Sequence, residues 1–234
     1  AELVREIGRT GCCEDVSAIS STVAKLTFGL EHPPEHPQEP DYAVFISVSG
    51  ASKGLLDAKV HHVHDTFENL KNDGKRRMFL TNFATFANLL GERFATYHDL
   101  PTVILPMMEY SGVTWVGTYA SPDKVGMLFK ESRWIFKKYD KPPIVFMKAM
   151  KSGHYCAFMA ISRYRRPEEL EETKAIQEEF LEIALDHDCI PYKTPSWMAE
   201  RIRERCDPNW IRLLERIKAV MDPKRIFNPG RWGL

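Results

Sequence analysis

At 234 residues, with 44% hydrophobic and 11% aromatic side chains, the chain has room for one large domain or a domain with an extension, and enough apolar surface for a core. Lys plus Arg balances Asp plus Glu at 32 each, which excludes a nucleic-acid partner held by phosphate contacts, and no apolar stretch approaches the roughly 20 residues that cross a bilayer. The five cysteines at 12, 13, 156, 189 and 206 form no C-x-x-C pair, so they read as free thiols of a reducing, cytoplasmic compartment and exclude iron–sulfur ligation. The chain begins at Ala1 without a basic-then-apolar leader. It is expected to be processed, trimmed or one piece of a longer product.

Taken in order, residues 1 to about 30 place apolar groups at helical spacing, and the proline-rich run Glu31 to Pro40 breaks the pattern. Residues 1–40 are thus expected to be a helical lead-in and linker, and 41–234 the main domain. Tyr42 to Ser49 reads as a buried strand. Ser52 to about Asn72 reads as a helix, with Leu55, Leu56, Val60, Val63, Phe67 and Leu70 recurring on one side. Arg77 to Thr81 is a second candidate strand, and 82–112 reads weakly as a short helix followed by an irregular stretch holding Pro101 and Pro106. Val113 to Tyr119 predicts a strand, and Ser121-Pro122-Asp123 opens a helix to about Tyr139. Ile144–Met150 and Tyr155–Ile161 predict a hairpin through Ser152-Gly153. Helices follow over Pro167–His187, Ser196–Arg205 and Pro208–Met221. The order predicts an α+β fold: a ferredoxin-like antiparallel sheet, helices on one face, and a C-terminal helical extension.

Two C-terminal segments carry a resemblance. Asp222-Pro223-Lys224-Arg225-Ile226-Phe227-Asn228-Pro229-Gly230-Arg231 follows an amphipathic run, and Ile190-Pro191-Tyr192-Lys193-Thr194 lies between two helices. Both resemble segments of the C-terminal, substrate-side domain of FAD-linked oxidases of the vanillyl alcohol oxidase and p-cresol methylhydroxylase family. The likeness is best from about Gly112 onward. It implies an FAD-dependent oxidoreductase acting on an alcohol or para-alkylphenol-type small molecule by hydride transfer to flavin. It also implies that the FAD-binding domain is absent from this chain and resides on another chain or in a removed N-terminal half, which makes the assembly a hetero-oligomer in the first case.

The resemblance implies roles residue by residue. Tyr192 and Lys193 match a Tyr-Arg pair that holds a substrate phenolate, with Lys a departure from Arg that changes shape while keeping charge. His154 matches a pocket histidine. Asn228, Pro229, Gly230 and Arg231 match the turn beside the flavin. Thr114 falls where some relatives tether FAD through histidine, so FAD is expected to bind non-covalently, with Trp115 lining flavin or pocket. The 2-hydroxy-acid branch of the family uses a metal at an E-H-G segment. Tyr192-Lys193-Thr194 stands there instead, so no metal is expected. His61, His62 and His64 read as a solvated helix face, and Phe129, Trp134 and Phe136 as core. Lys148, Lys151, Lys193 or Arg163 would grip a carboxylate if the substrate were a 2-hydroxy acid. A non-catalytic docking subunit of a redox complex is the other alternative. The sequence names neither the substrate nor the electron acceptor.

Overall fold

The computed structural model of the chain describes residues 1–23, 42–72, 78–82 and 112–230. Six strands form one antiparallel sheet: β1 (Asp15–Ser20), β2 (Tyr42–Ser47), β3 (Gly112–Ala120), β4 (Ile144–Met150), β5 (Tyr155–Tyr164) and β6 (Ile190–Pro191), in spatial order β2-β1-β4-β5-β3-β6. The helices are α1 (Glu2–Arg9), α2 (Lys53–Asn72), α3 (Val125–Lys138), α4 (Leu170–Asp186), α5 (Ser196–Arg205) and α6 (Pro208–Met221), with a 3-10 turn at Pro167–Glu169. The path β3–α3–β4–β5–α4–β6, with β6-β3-β5-β4 side by side, is the split βαββαβ unit that the element order predicts. β1 and β2 extend it on the β4 edge.

Alternation along the strands divides the sheet into two faces. Val16, Ala18, Val116, Ala120, Val145, Met147, Cys156, Phe158 and Ala160 pack against the helices in one core. α3 answers with Val125, Leu128, Phe129, Ser132, Ile135 and Phe136, and α4 with Ile176, Phe180, Leu181 and Ala184. These are the i, i+3, i+4 stripes expected of helices half-buried on a sheet. Phe158 sits at the centre, its ring 5.1 Å from Phe129 and 5.8 Å from Phe180. Its truncation to alanine would cost about 3–5 kcal/mol by cavity formation. Trp134, expected in the core, is 54% exposed, with the Lys138 ammonium 5.5 Å from its ring. It occupies the outer side of α3, opposite the stripe that packs.

The helical lead-in expected over 1–40 holds a strand. Residues 15–20 leave the helical pattern after Gly11 (φ 64°) and pair with both β2 and β4. Ser17 is buried there at 6% exposure, its hydroxyl donating to the Asp15 carboxylate at 3.0 Å. Satisfied this way, a serine can sit inside a sheet and blur the period-two signal. α1 packs on the β4–β5 turn through two glycines. A Cβ on Gly8 would lie 3.1 Å from Gly153 Cα, and Gly153 itself holds φ 77°. Of the strand expected over Arg77–Thr81, residues 78–81 lie in no strand or helix, and residue 77 lies outside the described residues. The proline-rich run and 83–111 lie outside the described residues.

Candidate functional site

The face of the sheet turned away from the helices carries the odd residues of β3 and β5. A small apolar cluster covers one part of it: Val23, Ile144 and Ile161, with Ile19, Val113, Trp115, Phe146 and Met159 around them. Next to it three aromatic rings meet. Tyr119 lies 5.0 Å from Tyr192 and 5.2 Å from Tyr155, the second pair edge-on. Trp115 and Tyr119 flank Gly117 along the same side of β3.

Gly117 explains how Tyr192 enters this face. β6 is two residues long and pairs with Thr118 and Tyr119, and Tyr192 N–H donates to the Gly117 carbonyl at 3.0 Å. The Tyr192 ring then lies down on the glycine. A Cβ at 117 would stand 2.4 Å from both Cζ and Oη of Tyr192, so the ring could not lie there without shifting. A glycine inside a strand often marks such a close approach. Burial pushes the Tyr192 hydroxyl above the ordinary tyrosine range, an effect the Trp115 indole beside it partly offsets and Tyr119 reinforces. Tyr192 therefore remains a neutral hydrogen-bond donor across the physiological range. Lys193, the next residue, turns its ammonium over the Trp115 ring at 4.8 Å from the centroid. The Trp115 Nε1–H is buried, with no hydrogen-bond partner among the described residues.

An aromatic floor, a neutral phenol donor and a cation thus converge on one side of β3. The arrangement suits a planar, partly anionic organic molecule. The rings offer stacking surface, while Tyr192 and Lys193 offer a hydrogen bond and a charge to an oxygen.

The other expected site residues lie elsewhere. His154 is exposed in the β4–β5 turn, one residue before Tyr155, and it is Tyr155 that reaches the ring cluster. Asn228, Pro229 and Gly230 are exposed beyond α6, with Asn228 at φ 48° and Gly230 at φ 75°. Gly230 lines an open groove of about 790 Å³ between α5 and α6. α5 is tied to α4 by Arg201–Glu182 (2.5 Å) and Arg205–Asp186 (2.6 Å). The groove therefore belongs to the helix layer, across the sheet from Trp115 and Tyr192. Arg231 lies outside the described residues. Thr114 takes the helix-facing direction of β3, opposite to Trp115.

The turn after α6 is built by Asp222. Its carboxylate accepts from the N–H groups of Ile226 and Phe227 at 2.9 Å each and from Lys218 Nζ at 2.6 Å. Desolvation pushes this carboxyl up, but Lys218 and the two backbone donors outweigh it and hold it below the usual range. Burial raises the Cys156 thiol to about 11, which leaves that group inert near neutrality. No cluster of three or more His, Cys, Asp or Glu able to hold a metal exists among the described residues. No helix among them is long and apolar enough to cross a membrane.

Sequence reasoning missed Tyr155 and Gly117. The isolated glycine within Val113-Thr114-Trp115-Val116-Gly117-Thr118 was the available signal. Tyr155 carried none, because its role depends on the β3–β5 register that sets Tyr119 opposite Ala157.

Comparison with known proteins agrees with this fold. The family model described as FAD linked oxidases, C-terminal domain, matches residues 197–232, which span α5, α6 and the Asp222 turn. Among solved structures, p-cresol methylhydroxylase with substrate bound is 16% identical at a TM-score of 0.70, covering 100% of this chain and 49% of that one. A 4-ethylphenol oxidase from Gulosibacter chungangensis, in an isoeugenol complex, is 15% identical at a TM-score of 0.71, covering 99% and 50%. Alkyldihydroxyacetonephosphate synthase is 14% identical at a TM-score of 0.51, covering 97% and 41%. No curated protein matches the chain by sequence. The chain spans about half the length of the two phenol-oxidising structures it resembles. It has the fold of the C-terminal domain of FAD-linked oxidases, and its α5–α6 region carries that family's sequence signature.

Proposed function

We propose that this chain is the substrate-side portion of an FAD-dependent oxidoreductase that oxidises a para-alkylphenol or a related benzylic alcohol. The observation that carries the reading is the seating of Tyr192 on Gly117 beside Lys193 and Trp115, on the open face of the sheet. The substrates named for two neighbours of the same fold, p-cresol and 4-ethylphenol, support it. A bound flavin would supply the hydride acceptor for the benzylic carbon. The chain's own residues hold the other end of the substrate. Tyr192 donates a hydrogen bond to the phenolic oxygen, and Lys193 places a positive charge beside it. Both favour the phenolate, which makes hydride loss easier because the product is quinone-methide-like.

The open face fits the ring end of such a cofactor and substrate. Its rings leave planar aromatic surface exposed, Tyr119 at 38%, and its one orphaned donor is Trp115 Nε1. The sequence contains no G-x-G-x-x-G or G-x-x-x-x-G-K run of the kind that cradles a pyrophosphate. The grip on FAD therefore belongs to the missing half, on another chain or in an N-terminal portion, and Lys193 becomes dry only when that half covers it. Non-covalent binding is supported twice at Thr114: threonine cannot form the histidine-type bond, and its side chain takes the helix-facing side.

A 2-hydroxy acid is the lesser reading. Lys148 is held by Asp15 at 3.2 Å and Lys151 sits in the exposed hairpin turn. Lys193 stands on the open face, over the Trp115 ring. The electron acceptor stays unassigned.

The test is the kinetics of the flavin-loaded protein that contains this chain. Lys193→Met should lower kcat and kcat/KM together, by about thirty- to a thousandfold, since a charge used mainly in the transition state is lost. Lys193→Arg should retain part of the activity, and Tyr192→Phe should cost less than Lys193→Met. Wild-type turnover in Lys193→Met would reduce Lys193 to a solvated loop charge, and leave the docking-subunit reading in its place.

A further inference from the structure

We propose that Trp115 is a positioning residue: its indole face aims the Lys193 ammonium, and its buried N–H stands ready to hold the Tyr192 hydroxyl as that group donates to a bound anion. The inference rests on the phenolate reading above and adds to it the device that orients the pair.

Lysine is a compact charge on a flexible stem, and four rotatable bonds must be quenched before it serves as a directed contact. No carboxylate ion pair to Lys193 is found among the described residues. What lies under its ammonium is the Trp115 ring, 4.8 Å from the nitrogen. A carboxylate there would fix the lysine but neutralise it. An indole face fixes it and leaves the charge available to an incoming anion. Trp115 is itself well placed for this. It lies in β3 opposite Ile161, packed against the Ile144–Ile161 cluster, so its ring is held by the sheet rather than by a loop.

The second observation is independent. Nε1 of Trp115 is buried without a hydrogen bond among the described residues, and Trp115 stands on the same side of β3 as Gly117, where the Tyr192 ring lies. A buried donor left empty is costly, so its persistence beside a hydroxyl points to a use. When Tyr192 donates its proton toward a phenolate, its oxygen becomes a better acceptor, and Trp115 N–H is the group beside it. One side chain thereby serves both members of the anion-facing pair.

The experiment uses the flavin-loaded protein that contains this chain and 4-nitrophenol, a phenol without a benzylic hydrogen whose ionised form is coloured. The quantities read are its affinity as phenolate and its apparent ionisation when bound. Trp115→Leu should weaken phenolate binding about three- to thirtyfold and move the ionisation of the bound probe toward its free value. Trp115→Phe, which keeps a ring face and lacks the N–H, should recover most of the loss due to Lys193. The effects of Trp115→Leu and Lys193→Met should not multiply, because the first acts largely through the second. Should Trp115→Leu fail to melt cooperatively, Trp115→Met fills the space without a π face and runs the same cycle. Full multiplication of the two effects, or an inert Trp115 beside an effective Lys193→Met, overturns the positioning role and leaves the phenolate reading standing. A Lys193→Met protein that binds the phenolate as well as wild type removes the reading and this inference together.

Discussion

At the scale of single residues the candidate site turns on a missing side chain. Gly117 is where β3 gives up its own side-chain volume so that a ring from the edge segment can enter, and the ring that enters is Tyr192. Gly117→Ala would therefore act at a distance of one methyl group. The added carbon would need the space now held by Cζ and Oη of Tyr192, so the ring must move by about an ångström. Displacements of that size cost on the order of a hundredfold in turnover. The expected result is a protein with a near-normal far-UV spectrum and a cooperative melt, but with kcat/KM for a para-alkylphenol reduced about a hundredfold. Unchanged kinetics in Gly117→Ala would show that Tyr192 is not where the chemistry is held. The pair Tyr192-Lys193 was legible in the sequence only through its resemblance to a family segment, since a tyrosine and a lysine in a loop carry no periodic signal. Gly117 and Tyr155 depend on a β3–β6 ladder two residues long and on the β3–β5 register, and neither is encoded locally.

Among the elements, α6 stands apart because none of its residues is buried. It is well specified as a helix. Asp207 caps it by accepting from the N–H groups of Asn209 and Trp210, and Pro208 occupies the first turn. Its apolar positions Trp210, Leu213, Ile217, Val220 and Met221 follow helical spacing yet remain 40–82% exposed, and Ile226 and Phe227 extend the apolar surface past the Asp222 turn. A contiguous apolar surface of this kind marks an interaction site. We propose the flavin-binding half as its occupant, since this chain spans about half the length of the structures whose fold it shares. Leu213→Asp combined with Ile217→Asp should leave the melt of the isolated chain unchanged while weakening assembly with that half at least tenfold. Assembly at wild-type affinity, measured by titration of the two pieces, would reassign the face. Among the described residues, sequence periodicity found helices α1 to α6 and strands β2 to β5, because their apolar positions recur at regular spacing. β1 escaped because it is an inner strand, with Val16, Ser17, Ala18 and Ser20 all buried, so its two faces look alike from the sequence.

For the whole molecule, the sheet separates two kinds of surface. The helix layer on one side supplies the hydrophobic core. The open face on the other supplies aromatic rings, a donor and a cation. We propose that such a body holds one end of a substrate and leaves the cofactor to another domain. The chain purified alone should be colourless, and flavin should appear only with the complementary half, then pass into the supernatant on acid precipitation. Stoichiometric FAD on the lone chain, or colour remaining in the acid pellet, would contradict this division of labour.

The most direct test of that account is anaerobic mixing of the flavin-loaded protein with a para-alkylphenol, followed by the flavin's visible absorption. Reduction of the flavin should bleach the band in a single turnover. Lys193→Met should slow the bleaching by about thirty- to a thousandfold. Bound flavin that stays oxidised with every para-alkylphenol and benzylic alcohol offered, or bleaches as fast in Lys193→Met as in wild type, would contradict the assignment of this face as a phenolate-holding substrate site.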